Sequence, residues 1–191
     1  AIQKAVDKGN EGSVAADEKK DIAVAVYEAK DNAVTLRAAL LDNEFKYVNT
    51  ELIADYQTKL KTSAFTGIAS KDAVTAAEYD KIQADINTVN NTAITTAKSA
   101  IVDVKTANEY KALVFDYMVD DAAGVDTKAK ALEEADKFIA LMELKASDSS
   151  VETYRLLAQL LGDDAKLLND NNKKEYYDAK VDYKDAATGV S

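Results

Sequence analysis

The sequence predicts an all-α protein, and three observations carry that prediction. The 191 residues contain no Pro and only six Gly, so the two strongest breakers of regular structure are scarce. Apolar residues recur at steps of three and four through most of the chain, the spacing that gathers them on one face of a helix. No stretch of useful length alternates apolar and polar residues with the period of two that a half-buried strand requires.

The elements follow in order. "VAADEKKDIAVAVYEA" (14–29) sets Ile22, Val26 and Ala29 at helical spacing after a polar start. "DNAVTLRAALLD" (31–42) restarts the pattern, with Asp31 or Asn32 as N-cap and Leu36, Leu40 and Leu41 on one face. In "KYVNTELIADYQTKLKTS", Asn49 or Thr50 caps a helix whose apolar stripe is Leu52, Ile53, Tyr56 and Leu60. Gly67, among small polar residues, marks a connection. A long helix is then expected over about 75–105. It opens on the Thr75–Glu78 capping box, whose side chains each satisfy a free N–H of the first turn. Its stripe continues through Ile82, Ile86, Val89, Ala93, Ala97, Ile101 and Val104. The same box spacing recurs at Thr106–Glu109 and Ser149–Glu152, each ahead of a shorter helix. Between these, "TKAKALEEADKFIALMELK" turns Leu132, Ala135, Phe138, Ile139 and Met142 inward, and "NNKKEYYDAKVDYKDAATGVS" reads as a last helix.

The segments repeat one another. Only two arginines are present, Arg37 and Arg155, and both stand in a Thr-x-Arg setting just ahead of a Leu-Leu pair. The two windows also share a Lys three residues before an Asn, a Tyr near the start of the following helix, and a closing Thr-Gly-[Ile/Val], at offsets of 118 to 122 residues. A weaker copy, "NEYKALVFDYMVDDAAGVDT", lies between them. The chain start "IQKAVDKGN" mirrors "IQADINTVN" 80 residues later. A repeated unit without a repeated reactive group is built for structure, since stacked neighbours bury faces that one unit cannot. The expected architecture is therefore elongated antiparallel helical bundle repeats: two consecutive bundles, 1–90 and 91–191, sharing the long helix.

The succession "LRAALL", "YVNTELIADYQTKL" and "TAAEYDKIQADINTVN" resembles the helical repeats of Gram-positive surface-layer (S-layer) and related cell-wall-anchored proteins. A Val-Asn turn before a Tyr-containing helix and an Ile-Gln-x-x-Ile-[Asp/Asn]-x-Val-Asn helix recur there. The likeness covers 33–92, and the remainder through the internal repeat. It implies an extracellular module of the cell surface or cell wall. The chain shows no S-layer-homology anchoring module and begins with Ala, so it reads as a mature or excised piece of something longer, held to the wall through another part.

Composition narrows the chemistry. Without His or Cys, the commonest general base, thiol nucleophile and zinc ligands are missing. Enzyme activity is not expected: adjacent acids such as Glu133 and Glu134 do not face one another on a helix, and 34 acids guarantee accidental pairs. The net charge of −10, with no basic run, argues against nucleic acid, and no stretch suits membrane insertion. No cofactor is expected beyond weak calcium, with Asp120, Asp121, Asp163 and Asp164 as candidate ligands. An EF-hand loop counted from Asp164 to Glu175 fails, because its third and fifth positions are Lys166 and Leu168. N-capping is the expected role of these acids and of Asp170-Asn171-Asn172. The arginines are expected to pair with neighbouring helices, and the ten tyrosines to pack at the edges of the core. Asn90-Asn91-Thr92 fits the glycosylation acceptor pattern, within a predicted helix.

These readings combine into an expected function. It is a structural, non-catalytic module of an S-layer-like protein, a spacer and lateral assembly element. Its partners are further copies, neighbouring domains of the same surface protein, and cell-wall polymer reached through other domains. The alternative is an adhesin-type helical module that binds a host protein or wall glycan.

Overall fold

The computed structural model describes residues 15–43, 45–119 and 127–188. Among the described residues the chain is helical, with no strand. Eight α-helices follow one another: α1 (Ala16–Ala29), α2 (Ala33–Asp42), α3 (Ile53–Thr62), α4 (Ala77–Ser99), α5 (Val104–Tyr117), α6 (Thr127–Ala146), α7 (Ser150–Leu161) and α8 (Lys173–Thr188). The chain divides into two compact units, Ala1–Asn91 and Thr92–Ser191.

In the first unit α1 packs on α2 and α2 on α3. Asn32 begins α2, its side chain accepting the N–H groups of Val34 and Thr35 at 2.9 and 3.2 Å, two of the donors that a helix start leaves free. The stripe expected from spacing is buried: Val26, Leu36, Leu40, Ile53, Tyr56, Leu60, Ile82 and Ile86 share one core with Phe45, Phe65 and Val74. Leu41 instead faces outward, 44% exposed, because it lies one residue, about 100°, from the buried Leu40.

In the second unit α5 packs on α6, α6 on α7 and α7 on α8. Its core gathers Ile94, Tyr110, Val114 and Ala135, with Leu132 and Phe138 against them. Lys98 pairs with Glu134 at 2.7 Å and Lys111 with Asp136 at 2.6 Å. Gly162 ends α7 at φ 55°, ψ −119°, a conformation that residues bearing a Cβ avoid.

The three capping boxes fare differently. At the head of α4, Glu78 reaches back to the Thr75 N–H and also takes the Thr75 hydroxyl, both at 2.7 Å, while Lys81 lies 3.0 Å from its other oxygen. Only 6% of Glu78 is exposed. That burial pushes its carboxyl up, but the Thr75 hydroxyl, the Lys81 ammonium and the Thr75 N–H outweigh it and bring the pKa down to about 2. Ser149 accepts from the N–H of Glu152, whereas the Glu152 carboxylate turns to Arg155. The Thr106–Glu109 box is displaced: Asp103 is the N-cap of α5, its carboxylate taking the Thr106 N–H at 2.8 Å while the Thr106 hydroxyl takes the Asp103 N–H at 3.1 Å.

This cap also corrects the expected long helix. The helix spans 77–99, not 75–105. Its last turn tightens as the Ala100 N–H is shared between the carbonyls of Thr96 and Ala97, and Thr106 holds the Val102 N–H at 3.0 Å. The apolar steps Ile101 and Val104 continue the period across a break that periodicity alone does not reveal.

Two outcomes follow. Asp103→Ala lowers the thermal midpoint, since it removes the cap of α5; a helix running through 103 would be stabilised by the same change, because Ala is the better helix former. The sign of the shift in a thermal melt decides. For Glu78, whose folded pKa of about 2 lies below the ordinary 4.5, the stabilisation is complete above about pH 5 and is lost as pH falls through 4.5 toward 2. In urea unfolding across that range the parent chain loses roughly 3 kcal/mol more than Glu78→Gln does, the difference that isolates Glu78 from the other carboxylates.

Candidate functional site

The most ordered polar arrangement in the first unit surrounds the turn before α3. Asn49 accepts the Glu51 N–H at 3.0 Å through its side chain and opens a 3-10 turn, Thr50–Leu52, that runs into α3. Its own N–H donates to the hydroxyl of Tyr56, seven residues on, at 3.0 Å. Tyr56, fully buried, donates to the side-chain oxygen of Asn90 on α4 at 2.5 Å. The Asn90 amide in turn donates to the Tyr47 carbonyl at 2.8 Å. Tyr47 has φ 63°, a left-handed conformation costly to a residue with a Cβ. Gln83, two turns before Asn90, brackets the same strand of chain, accepting the Lys46 N–H at 2.9 Å and donating to its carbonyl at 3.0 Å. The arrangement holds polar groups that would be expensive to bury unpaired, and it ties the turn to α4.

The turn recurs in the second unit. Asn169 accepts the Asn171 N–H at 3.0 Å through its side chain, opens the 3-10 turn Asp170–Asn172 that runs into α8, and donates its N–H to the hydroxyl of Tyr176 at 3.0 Å. Asn49 and Asn169 stand 120 residues apart, as do Tyr56 and Tyr176. The two local bonds of the turn, Asn side chain to the N–H two residues on and Asn N–H to the Tyr hydroxyl, are therefore reproduced residue for residue.

The arginines are not in that register. At an offset of 120, Leu36 matches Leu156, and both are fully buried. At the 118 that aligns the arginines, an exposed Thr35 is set against a fully buried Thr153. The Thr-x-Arg likeness is thus two residues out of step with the packing. Arg155 grips Glu152 of its own helix through two nitrogens, at 3.0 and 2.6 Å, with Glu143 of α6 further off at 3.8 Å. Arg37 is exposed and makes no ion pair among the described residues.

The other expected sites are placed as follows. Asp120 and Asp121, and the Gly-Val-Asp stretch of the middle copy, lie outside the described residues, as does the chain start 2–10. Asp163 and Asp164 are exposed in the 3-10 helix Gly162–Leu167 after α7. Neither caps an α-helix; Asn169 takes the capping role near them, and Asp170 pairs with Lys173 at 2.7 Å. Among the described residues no three acidic side chains gather as a metal site would need. Asn90, the head of the glycosylation pattern, is 1% exposed and engaged on both its polar atoms, so it offers no accessible amide. Tyr56 and Tyr110 lie within the cores rather than at their edges. Among the described residues no helix is long and apolar enough to cross a membrane.

No family model, curated protein or solved structure matches the chain.

Tyr56→Phe leaves the Asn49 N–H and the Asn90 oxygen without their buried partner and is expected to cost about 1–3 kcal/mol. Tyr176→Phe, at a turn open to water, is expected to cost under about 1 kcal/mol. Urea unfolding of the two variants against the parent chain measures both; equal losses would show that the hydroxyls do equal structural work despite their different burial.

Proposed function

We propose that this chain is a structural, non-catalytic module of a bacterial cell-surface, S-layer-like protein, made of antiparallel helical bundle repeats and acting as spacer and lateral assembly element. The observation that carries the proposal is the recurrence of the Asn–Tyr turn, with the same hydrogen bonds at Asn49–Tyr56 and Asn169–Tyr176. Repetition of a structural device, rather than of a reactive group, is the mark of a chain selected for architecture. The resemblance of 33–92 to surface-layer repeats supplies the extracellular, wall-associated setting.

A coat must bring copies together against their own charge. At a net −10, neighbouring copies repel over about 8–10 Å at moderate ionic strength. Calcium shared between acids of two copies, Asp163 and Asp164 among them, is the natural means of neutralising it. Sedimentation velocity at rising protein concentration tests this. Self-association is expected, stronger in millimolar calcium than in sodium chloride of matched ionic strength and reversed by chelator. A chain monomeric in all three conditions would remove the assembly role and favour the adhesin-type module instead. Antibody labelling of intact source cells tests the surface location separately.

A further inference from the structure

The two copies of the turn differ in what covers them. In the first unit Ile82–Asn90 lies over it: Ile82 and Ile86 are fully buried, Asn90 accepts from the Tyr56 hydroxyl, and Asp85 takes the Ala64 N–H at 3.0 Å beside Lys59 at 3.8 Å. In the second unit the same turn is open. Asn169 is exposed where Asn49 is 4% exposed, Tyr176 is half-buried where Tyr56 is fully buried, and Leu167, two residues before Asn169, is 74% exposed. Among the described residues the Tyr176 hydroxyl accepts from Asn169 but has no acceptor for its own proton.

We propose that residues 2–10 of a second copy of this chain cover the Asn169–Tyr176 turn, joining copies head to tail. The proposal deepens the assembly role above and rests on it for the identity of the partner as another copy. Three features of the sequence select this occupant. The dipeptide Ile-Gln occurs twice in the chain, at 2–3 and 82–83, and both times opens Ile-Gln-x-x-[Val/Ile]-x-x-x-Asn, ending at Asn10 and Asn90. The covering ion pair is replaced on both sides at once: Asp85 corresponds to Ala5 and Lys59 to Ala179, so at that pair of positions neither side leaves a charge unpaired. The net charges are also complementary. Segment 2–10 has Lys4 and Lys8 against Asp7, a net +1, while 162–176 has Asp163, Asp164, Asp170 and Glu175 against Lys166, Lys173 and Lys174, a net −1. The segment that covers the first unit, 82–90, carries Asp85 as its one charge.

In the joined state the Tyr176 hydroxyl donates to the Asn10 side chain, as Tyr56 does to Asn90, and Ile2 and Val6 meet the apolar surface near Leu167. The two surfaces are different parts of the chain, so the contact is heterologous. It propagates into a row of copies unless the rotation closes a ring.

The absence of Cys makes a direct test available. An Asn10→Cys chain and a Leu167→Cys chain are mixed under mild oxidation, since a disulfide forms only where Cα atoms come within about 7 Å. The mixed dimer is expected to form at least about tenfold faster than either homodimer, because docking raises the local thiol concentration. Adding Tyr176→Phe to the Leu167→Cys chain should slow it by roughly fivefold. Equal rates for the three dimers would overturn the proposal, as would a chain carrying both cysteines that closes on itself at a rate independent of concentration. Sedimentation of the unmodified chain separates the two levels of failure. Association with unselective cross-linking removes the head-to-tail contact and leaves the assembly role, whereas a monomer at every concentration removes the assembly role itself.

Discussion

The hydroxyl of Tyr56 joins two backbone segments through a single buried oxygen. It accepts the N–H that opens the turn before α3 and donates to Asn90 on α4, 34 residues further along. Around that oxygen the first unit resolves its polar conflicts: the left-handed Tyr47 is held by the Asn90 amide, and the neighbouring Lys46 backbone is bracketed by Gln83. Buried hydrogen bonds contribute little beyond what water would supply, but leaving one unmade is costly. Such a network therefore selects one arrangement of the helices over neighbouring ones that would bury the same apolar area. The apolar contacts of Leu36, Leu60, Ile82 and Ile86 supply the drive to pack, and the asparagines and the tyrosine supply the register.

Among the described residues the second unit keeps the local half of this device and not the long-range half. Asn169 and Tyr176 reproduce the bonds that lie within eight residues of one another, while Leu156 and Thr153 bury the face of α7. A turn that forms from its own neighbours is available for reuse, since it needs no partner from elsewhere to fold. What then covers it is a separate matter, answered in the first unit by Ile82–Asn90.

Much of the chain is legible without coordinates, and the reason is range. The all-helical class follows from missing breakers and from a period of three to four. The caps at Asn32, Asn49 and Ser149 follow from side chains that reach N–H groups two or three residues on. The buried faces of α1 to α3 follow from spacing within single helices. The site was legible only in outline. The repeated Asn and Tyr stood in plain view, but the arginines drew the alignment two residues away from the register of the packing, because a shared residue type says nothing about which face it occupies. The signal that separates the two is the seven-residue Asn-to-Tyr step, the same at 49–56 and 169–176.

Where spacing left the outcome open, the competing local choices were nearly equal. Thr106 is acceptable either as an N-cap or as the third residue of a helix, and Asp103 settled the matter by closing the box one turn earlier. Ile101 and Val104 fit a continuing helix as well as they fit a break. Asn90 fits the glycosylation pattern in sequence, within a predicted helix, but with α4 laid against the Tyr56 turn it is 1% exposed. Helix formation depends on interactions over three or four residues and is written into the order of side chains. The pairing of Tyr56 with Asn90 depends on closing a loop of some thirty residues, and its energy exists only once the intervening chain has packed.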